Sequence, residues 1–187
     1  MDNIDRIIEW AGAVQANEIV QWDDLPDLDL YMDQVLTYMD RQLMLFQKDE
    51  ENKLLTSNMI NNYVKDGLIP RPEKKKYSRD HLALMLMVGM LKQVLTIQNI
   101  TGLQEIEPDK KRLYECFSEY QSMALREISQ RVLSAEKSPE AMRKLVLELS
   151  VEANARRITA ENILVMLKED TGQEDKKPPE KNKEKKN

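Results

Sequence analysis

The chain has 187 residues and a formal net charge of -5, with 28 Lys or Arg and 33 Asp or Glu residues. This length predicts one domain, or one domain with an added lobe, and the hydrophobic share of 41% is enough for a core. Five Gly and seven Pro argue against an all-β sandwich or a glycine-rich nucleotide-binding fold. The single Cys argues against a disulfide scaffold or a cysteine zinc site, and the single His argues against most histidine-based catalysis.

The sequence predicts a cytoplasmic protein that does not enter a membrane. No apolar run approaches the roughly 20 residues that a membrane-spanning helix needs. The first residues, Met1 to Arg6, lack the basic start and the small-residue cleavage site of a signal peptide. A chain with a single Cys also fits a reducing compartment.

Apolar residues recur at helical spacing along almost the whole chain, which predicts an all-α fold. In chain order, the first predicted helix covers residues 4–15 and the second covers residues 29–46. A third begins at Thr56 or Ser57, whose hydroxyl can accept from free backbone amides, and it ends before Gly67.

Ser78 is predicted to cap a fourth helix, and Thr96 begins one short further turn. A long helix then covers residues 109–136. Apolar residues lie on more than one side of it, which predicts a second buried face, formed either within the chain or between two copies.

Two more helices are predicted after the long one. Ser138 caps the first of them, with Pro139 at its first helical position, and Thr159 caps the second. Residues 171–187 are rich in Lys, Glu and Pro, so this tail is predicted to be disordered.

One basic segment stands out in an otherwise acidic chain. Residues 1–53 carry 4 basic and 13 acidic residues, whereas residues 54–104 carry 7 basic and 3 acidic ones. The acidic total argues against nucleic acid as a partner, but binding depends on where the charge lies. The basic segment therefore keeps nucleic acid among the candidate partners.

Within that segment, a polar helix is followed by a basic loop, which is the layout of a recognition helix followed by a wing. Asn side chains can contact adenine through two hydrogen bonds, and Lys and Arg neutralise phosphates. The candidates for base contact are Asn58, Asn61, Asn62 and Lys65. The candidates for phosphate contact are Arg71, Lys74, Lys75, Lys76 and Arg79. A solvated surface loop and a plain polar helix face remain the alternative interpretation.

The stretch from Thr56 to Pro70, followed by Lys76-Tyr77, resembles the winged helix-turn-helix of MerR-type regulators. Over residues 25–170 the chain also resembles a bacterial family of uncharacterised function regarded as MerR-like. The resemblance implies a first helix at residues 31–43, a recognition helix at residues 59–63 and a wing at residues 71–79. It further implies dimerisation through a long helix that follows the DNA-binding unit.

Catalytic and metal sites are not predicted. His81 falls near the start of a helix, where local bonding or packing is expected, and Cys116 lies beside an apolar stripe, which predicts a buried thiol. The aspartates between Asp23 and Asp33 lack the Gly and the spaced Glu of a calcium loop, so a solvated acidic face is expected.

The predicted architecture is an all-α, MerR-like winged helix-turn-helix with an additional C-terminal helical lobe. Its parts are an N-terminal helical extension at 1–24, the winged unit at 25–104, a lobe for dimerisation or partner binding at 105–170, and the tail at 171–187. The predicted function is a homodimeric transcriptional regulator that binds double-stranded DNA, without enzymatic activity, cofactor or metal, and with an unidentified effector. The alternative is a protein-interaction or adaptor module that keeps the fold without binding DNA, and the acidic N-terminal third favours it.

Overall fold

The computed structural model describes residues 2–47 and 53–170, apart from the side chains of residues 169 and 170. Within these ranges the regular structure is α-helical, joined by two 3-10 helices and isolated β-bridges. This confirms the all-α prediction, whereas the predicted tail at 171–187 lies outside the described residues. The helices are α1 (Asn3–Ala16), α2 (Met32–Leu43), α3 (Ser57–Lys65), α4 (Arg79–Leu91), α5 (Ile97–Ile106), α6 (Lys110–Ser134) and α7 (Pro139–Asp170).

Two of the helices predicted before the long helix differ in extent from those in the structure. Helix α2 begins at Met32, and the residues after Leu43 tighten into a 3-10 helix, Met44–Phe46. The short turn expected after Thr96 is the ten-residue helix α5. Its N-terminus is capped as expected, because the Thr96 hydroxyl accepts from the Asn99 backbone amide at 3.2 Å.

The prediction of two helices after residue 137 is wrong, since α7 runs without interruption from Pro139 to Asp170. Ser138 does cap its start, accepting from the Ala141 amide at 3.2 Å. Thr159, however, lies inside the helix and donates to the Ala155 carbonyl at 2.9 Å. A helical threonine can satisfy its hydroxyl in this way, so a threonine alone does not mark a helix start.

Helix α4 is the centre of the main core. Every residue from His81 to Gly89 is buried, so this helix is surrounded on all sides. Helices α2 and α6 pack against it. At Gly89, an added Cβ would lie 3.1 Å from the Leu55 side chain, so the glycine permits the chain just before α3 to approach closely.

Helix α1 packs along α6 and provides the second buried face predicted for the long helix. Ala11 of α1, Val132 of α6 and Leu145 of α7 form a separate small apolar cluster. The interface of α6 with α7 is reinforced by Arg131, whose guanidinium donates to a Glu152 carboxylate oxygen at 2.7 Å.

The segment after α1 is tied to the middle of α6 by polar contacts. The Ile19 amide donates to the Ser122 hydroxyl at 3.4 Å, and the Tyr114 hydroxyl donates to the Val20 carbonyl at 2.8 Å. Glu18 and Arg126 form an ion pair at 2.9 Å. None of the helices in the described ranges combines the length and the apolar character needed to cross a membrane.

Candidate nucleic-acid interface

Helix α3 presents one polar face to solvent and one apolar face to the core. Thr56 caps it by accepting from the Met59 amide at 3.3 Å, and Ile60 is fully buried. At about 100° of rotation per residue, the outward residues fall within a sector of about 100°. These residues are exposed and comprise Asn58, Asn61, Asn62 and Lys65. All four predicted base-contacting residues thus share one exposed face.

Gly67 turns the chain from α3 back to the core. Its φ of 79° lies in the left-handed region, where a Cβ would be strained. The Ile69 amide then donates to the Tyr63 carbonyl at 3.1 Å, and Leu68 and Ile69 are buried. Gln104 of α5 donates to the Leu68 carbonyl at 3.3 Å, which fixes the turn to α5. The direction in which the chain leaves α3 is therefore well determined.

The predicted wing is a very tight turn. Glu73 and Lys76 form an antiparallel bridge in which the Lys76 amide donates to the Glu73 carbonyl at 2.8 Å. Lys74 and Lys75 at its tip have φ angles of 47° and 66°. Positive φ at both central residues is the requirement of a type I′ hairpin turn, in which Asn and Gly are the usual residues. Both tip lysines are exposed.

Leu30, just before α2, forms the next rung of this small β arrangement. Leu30 and Tyr77 exchange two backbone hydrogen bonds of 2.9 and 2.8 Å. Tyr77 is buried at 4% exposure, whereas Lys76 points to the other side and its Nζ lies 5.3 Å from the centre of the Tyr31 ring. The Lys76 ammonium is thus held by a cation–π contact.

The other two basic candidates lie away from the tip of the turn. Arg71 is exposed on the irregular segment that leads to it. Arg79 is the half-buried first residue of α4, so it belongs to that helix rather than to the wing. The structure therefore places Lys74 and Lys75 together at the tip and distributes Arg71, Lys76 and Arg79 along its base.

Acidic residues lie beside the basic turn. The pairing of Leu30 with Tyr77 brings the adjacent, exposed Asp29 to the base of the turn, and Asp27 and Asp33 are exposed nearby in sequence. Negative charge there repels phosphate. The base of the turn is therefore less suited to contact with DNA than the tip of the turn and the polar face of α3.

The MerR-like helix-turn-helix connection is not confirmed. In a helix-turn-helix, a turn of about three or four residues joins the two helices. Helix α2 matches the implied first helix closely, but residues 44–56 separate it from α3. This longer connection includes Met44–Phe46 and the buried Leu54 and Leu55.

His81 packs beneath the base of the turn, as the sequence predicts. Its Nδ1 accepts from the Ser78 amide at 3.1 Å and lies 2.8 Å from the Ser78 hydroxyl oxygen, which caps α4. Its ring meets Tyr77 edge-on at 5.6 Å. Burial lowers the pKa of His81, because the charged imidazolium is disfavoured where water is excluded.

Three features of this region were not predicted. They are the left-handed backbone at Lys74 and Lys75, the Lys76–Tyr31 contact, and Lys92, whose Nζ lies 3.3 Å from the Met59 sulfur under α3. No local signal marks the turn, because Lys is not a residue that favours positive φ. The other two depend on pairings between distant parts of the chain.

Cys116 is only half-buried, so the prediction of a buried core thiol is wrong in degree. Its side chain lines a cavity between helices. In the part of the chain that the structure describes, no group of three or more His, Cys, Asp or Glu residues is arranged to hold a metal ion.

Comparison with known proteins gives one informative result. The model of a family described as "Domain of unknown function (DUF1836)" matches residues 20–131, which contain helices α2 to α5 and most of α6. No curated protein and no solved structure matches the chain. The matched segment covers more than half of the 187 residues, so the chain belongs to the DUF1836 family, a domain of unknown function.

Proposed function

We propose that this protein is a cytoplasmic, non-enzymatic transcriptional regulator that binds double-stranded DNA. The polar face of α3 would contact base edges and the Glu73–Lys76 turn would contact the phosphate backbone. The observation that carries the proposal is that these two features follow one another closely along the chain. A capped helix with four polar residues on one exposed face is followed, after a fixed Gly67 turn, by a tight turn with two exposed lysines at its tip.

The residue types fit the two tasks. Asn61 and Asn62 can each donate and accept a hydrogen bond at once, which matches the N6 and N7 atoms of adenine in the major groove. Lys74 and Lys75 present point charges on flexible stems, which suits contact with phosphate and carries no base specificity. The chemistry supports sequence reading by α3 and positioning by the turn.

The first test measures duplex DNA binding as a function of salt. We expect the Lys74→Ala/Lys75→Ala variant to bind a random duplex pool more weakly and to lower the slope of log K against log salt by about 1.8, since each lost phosphate contact removes about 0.9. The charge-matched control is Lys137→Ala/Lys144→Ala, which removes two exposed lysines outside the basic segment. Its slope should match that of the unaltered protein.

A second variant separates base reading from phosphate contact. Asn61→Ala/Asn62→Ala should leave the salt slope unchanged while it relaxes the sequences selected from the pool, with a loss of about 1 to 3 kcal/mol of discrimination for each base contact removed. If the unaltered protein retains no duplex at low salt, where even non-specific binding is strong, the DNA proposal is wrong.

The second candidate function is a protein-interaction or adaptor module. The exposed Asp29 at the base of the turn favours it, as do the exposed Asp27 and Asp33 close to Asp29 in sequence and the contact of Lys76 with Tyr31. In that case the same purified protein would retain no DNA at any salt concentration, and its lysine-tip variant would lose a protein partner instead.

We also propose that the protein is a homodimer, joined through α7. Eight large apolar residues of this helix are exposed, and four of them follow spacings of four, seven and seven, so these four form one stripe about 27 Å long. They are Leu147, Val151, Ile158 and Val165, between 44% and 66% exposed. A stripe of this length on a regular helix can pair with its own copy.

A further inference from the structure

A cavity of about 340 Å³ lies between helices α4, α5 and α6, on the side where α4 ends. Met87 and Leu91 of α4 form one wall, and Leu103 of α5 forms another. The rest of the lining comes from the first half of α6. We propose that this cavity binds an uncharged, mainly apolar small molecule, which is a role separate from DNA binding.

The chemistry of the walls selects this class of ligand. The α6 side contributes Leu113, the aromatic rings of Phe117 and Tyr120, the Cys116 thiol and the Gln121 amide. None of the lining residues is Asp, Glu, Lys, Arg or His. An ionic ligand would lose its hydration without gaining a partner of opposite charge. A ligand with one hydrogen-bonding group could use the Gln121 amide.

The shape of the cavity favours a small molecule over a protein surface. Met87 is 1% exposed and Phe117 is 9% exposed, and only Tyr120, at 65%, stands out from the walls. Recessed walls of this kind accept a compact ligand, and about 340 Å³ lies within the size range of small-molecule sites. The composition of residues 171–187 does not match the apolar lining, because Pro is their only apolar residue type.

The cavity also touches the helix that supports the candidate interface. Helix α4 begins directly after the basic turn, and its Gly89 lies against Leu55, the residue before the Thr56 cap of α3. Met87 and Leu91, on either side of Gly89 in sequence, reach the cavity. A bound ligand would therefore contact the same part of α4 that packs against the start of α3.

The direct test uses the full chain and the uncharged fluorescent probe N-phenyl-1-naphthylamine. We expect saturable binding of one probe per chain, and binding at least about tenfold weaker for the related anionic probe 8-anilinonaphthalene-1-sulfonate. Cys116→Phe and Leu103→Trp should fill the cavity and abolish the saturable signal. Met123→Trp, at an exposed position of α6 outside the lining, should leave it unchanged.

Chemical protection gives a readout that does not depend on any variant. Cys116 is the only cysteine, so N-ethylmaleimide reports on this wall alone. We expect saturating probe to slow its labelling severalfold. Labelling at an unchanged rate under saturating probe would overturn the proposal. It would also be overturned if the unaltered chain showed no saturable binding, or if both cavity-filling variants folded and still bound the probe fully. If both variants fail to fold, the protection of Cys116 in the unaltered chain decides the result.

Discussion

Lys74 and Lys75 occupy a conformation that L-residues with a side chain avoid. Left-handed backbone costs roughly 1 to 2 kcal/mol per residue, and lysine has no short polar group that could offset this locally. A turn selected for stability alone would carry Asn-Gly at these two positions. Two lysines at these positions lower the stability of the turn. They also place two ammonium groups at the exposed tip of the hairpin. Strain of this kind is typical of functional sites.

Replacing the tip with its preferred residues should therefore separate stability from binding. We expect Lys74→Asn/Lys75→Gly to raise the free energy of unfolding by about 1 to 2 kcal/mol and to weaken DNA binding. Lys74→Gln/Lys75→Gln removes the same charge but keeps a side chain at both positions, so it should weaken binding without the gain in stability. Urea unfolding and duplex titration measure the two effects, and equal stability in both variants would contradict the assignment of strain.

His81 is the only histidine, so replacing this one residue isolates the contribution of histidine titration to stability. Burial is the largest influence on its pKa and lowers it, and the Lys110 charge acts in the same direction. The backbone carbonyls of Arg71 and Pro70 and the Asp80 charge act in the opposite direction. The net effect is a lowered pKa in the folded protein, so the unfolded chain takes up the proton at a higher pH.

The folded state should consequently lose stability as the pH falls from about 7 toward 5 through the pKa of the unfolded chain, about 6.5. In His81→Gln this loss should shrink, because Gln does not titrate and its side-chain oxygen can still accept from the Ser78 amide in a capping box. Urea unfolding at several pH values measures the difference. An identical pH dependence in the two proteins would show that His81 is not its source.

At the scale of the helix, α7 exposes more large apolar side chains than any other helix in the described ranges. Eight large apolar side chains remain exposed along it, and only four of them share one side. Leu147, Val151, Ile158 and Val165 form the stripe proposed to meet a second copy, whereas Ile163, 51% exposed, lies on a different side. Extensive exposed apolar surface on a single element is typical of an interaction site.

Ile158→Glu should weaken dimerisation by at least about 100-fold, because it would place an uncompensated carboxylate of each copy in an apolar seam. Ile163→Glu is the matched control, since it makes the same change at a similar exposure outside the stripe. Sedimentation equilibrium over a range of protein concentrations distinguishes the two. A chain that is monomeric before any substitution would exclude the proposed seam.

The elements show where sequence reasoning succeeded. The sequence identifies the caps at Ser78 and Ser138 and leaves Thr56 as one of two candidates for α3, because each precedes a strongly periodic segment and local hydrogen bonds decide such positions. Thr159 was misread because a threonine that bonds to the carbonyl four residues earlier has the same local sequence as one that starts a helix. Only its position within the continuous α7 distinguishes the two cases.

At the scale of the whole molecule, the four polar positions of α3 and the basic character of the segment at 71–79 could be predicted, because residue types and spacing are local properties of the chain. The acidic neighbours of the turn could not. Asp29 reaches the turn only because Leu30 pairs with Tyr77, a contact across 47 positions of sequence. The same holds for Lys76 and Tyr31, and for the cavity beside Cys116, which needs α4, α5 and α6 in place.

The attachment of α1 to α6 also bears on how the chain assembles during synthesis. The Glu18–Arg126 pair and the Ile19–Ser122 bond join residues more than 100 positions apart. Helix α1 leaves the ribosome early, yet its docking surface exists only after α6 has emerged, and contacts of such long range form slowly. The ribosome synthesises the basic segment and helix α4 after α1 and before α6. Docking of α1 is thus a late step, which closes the fold around a core that the intervening helices have already begun to form.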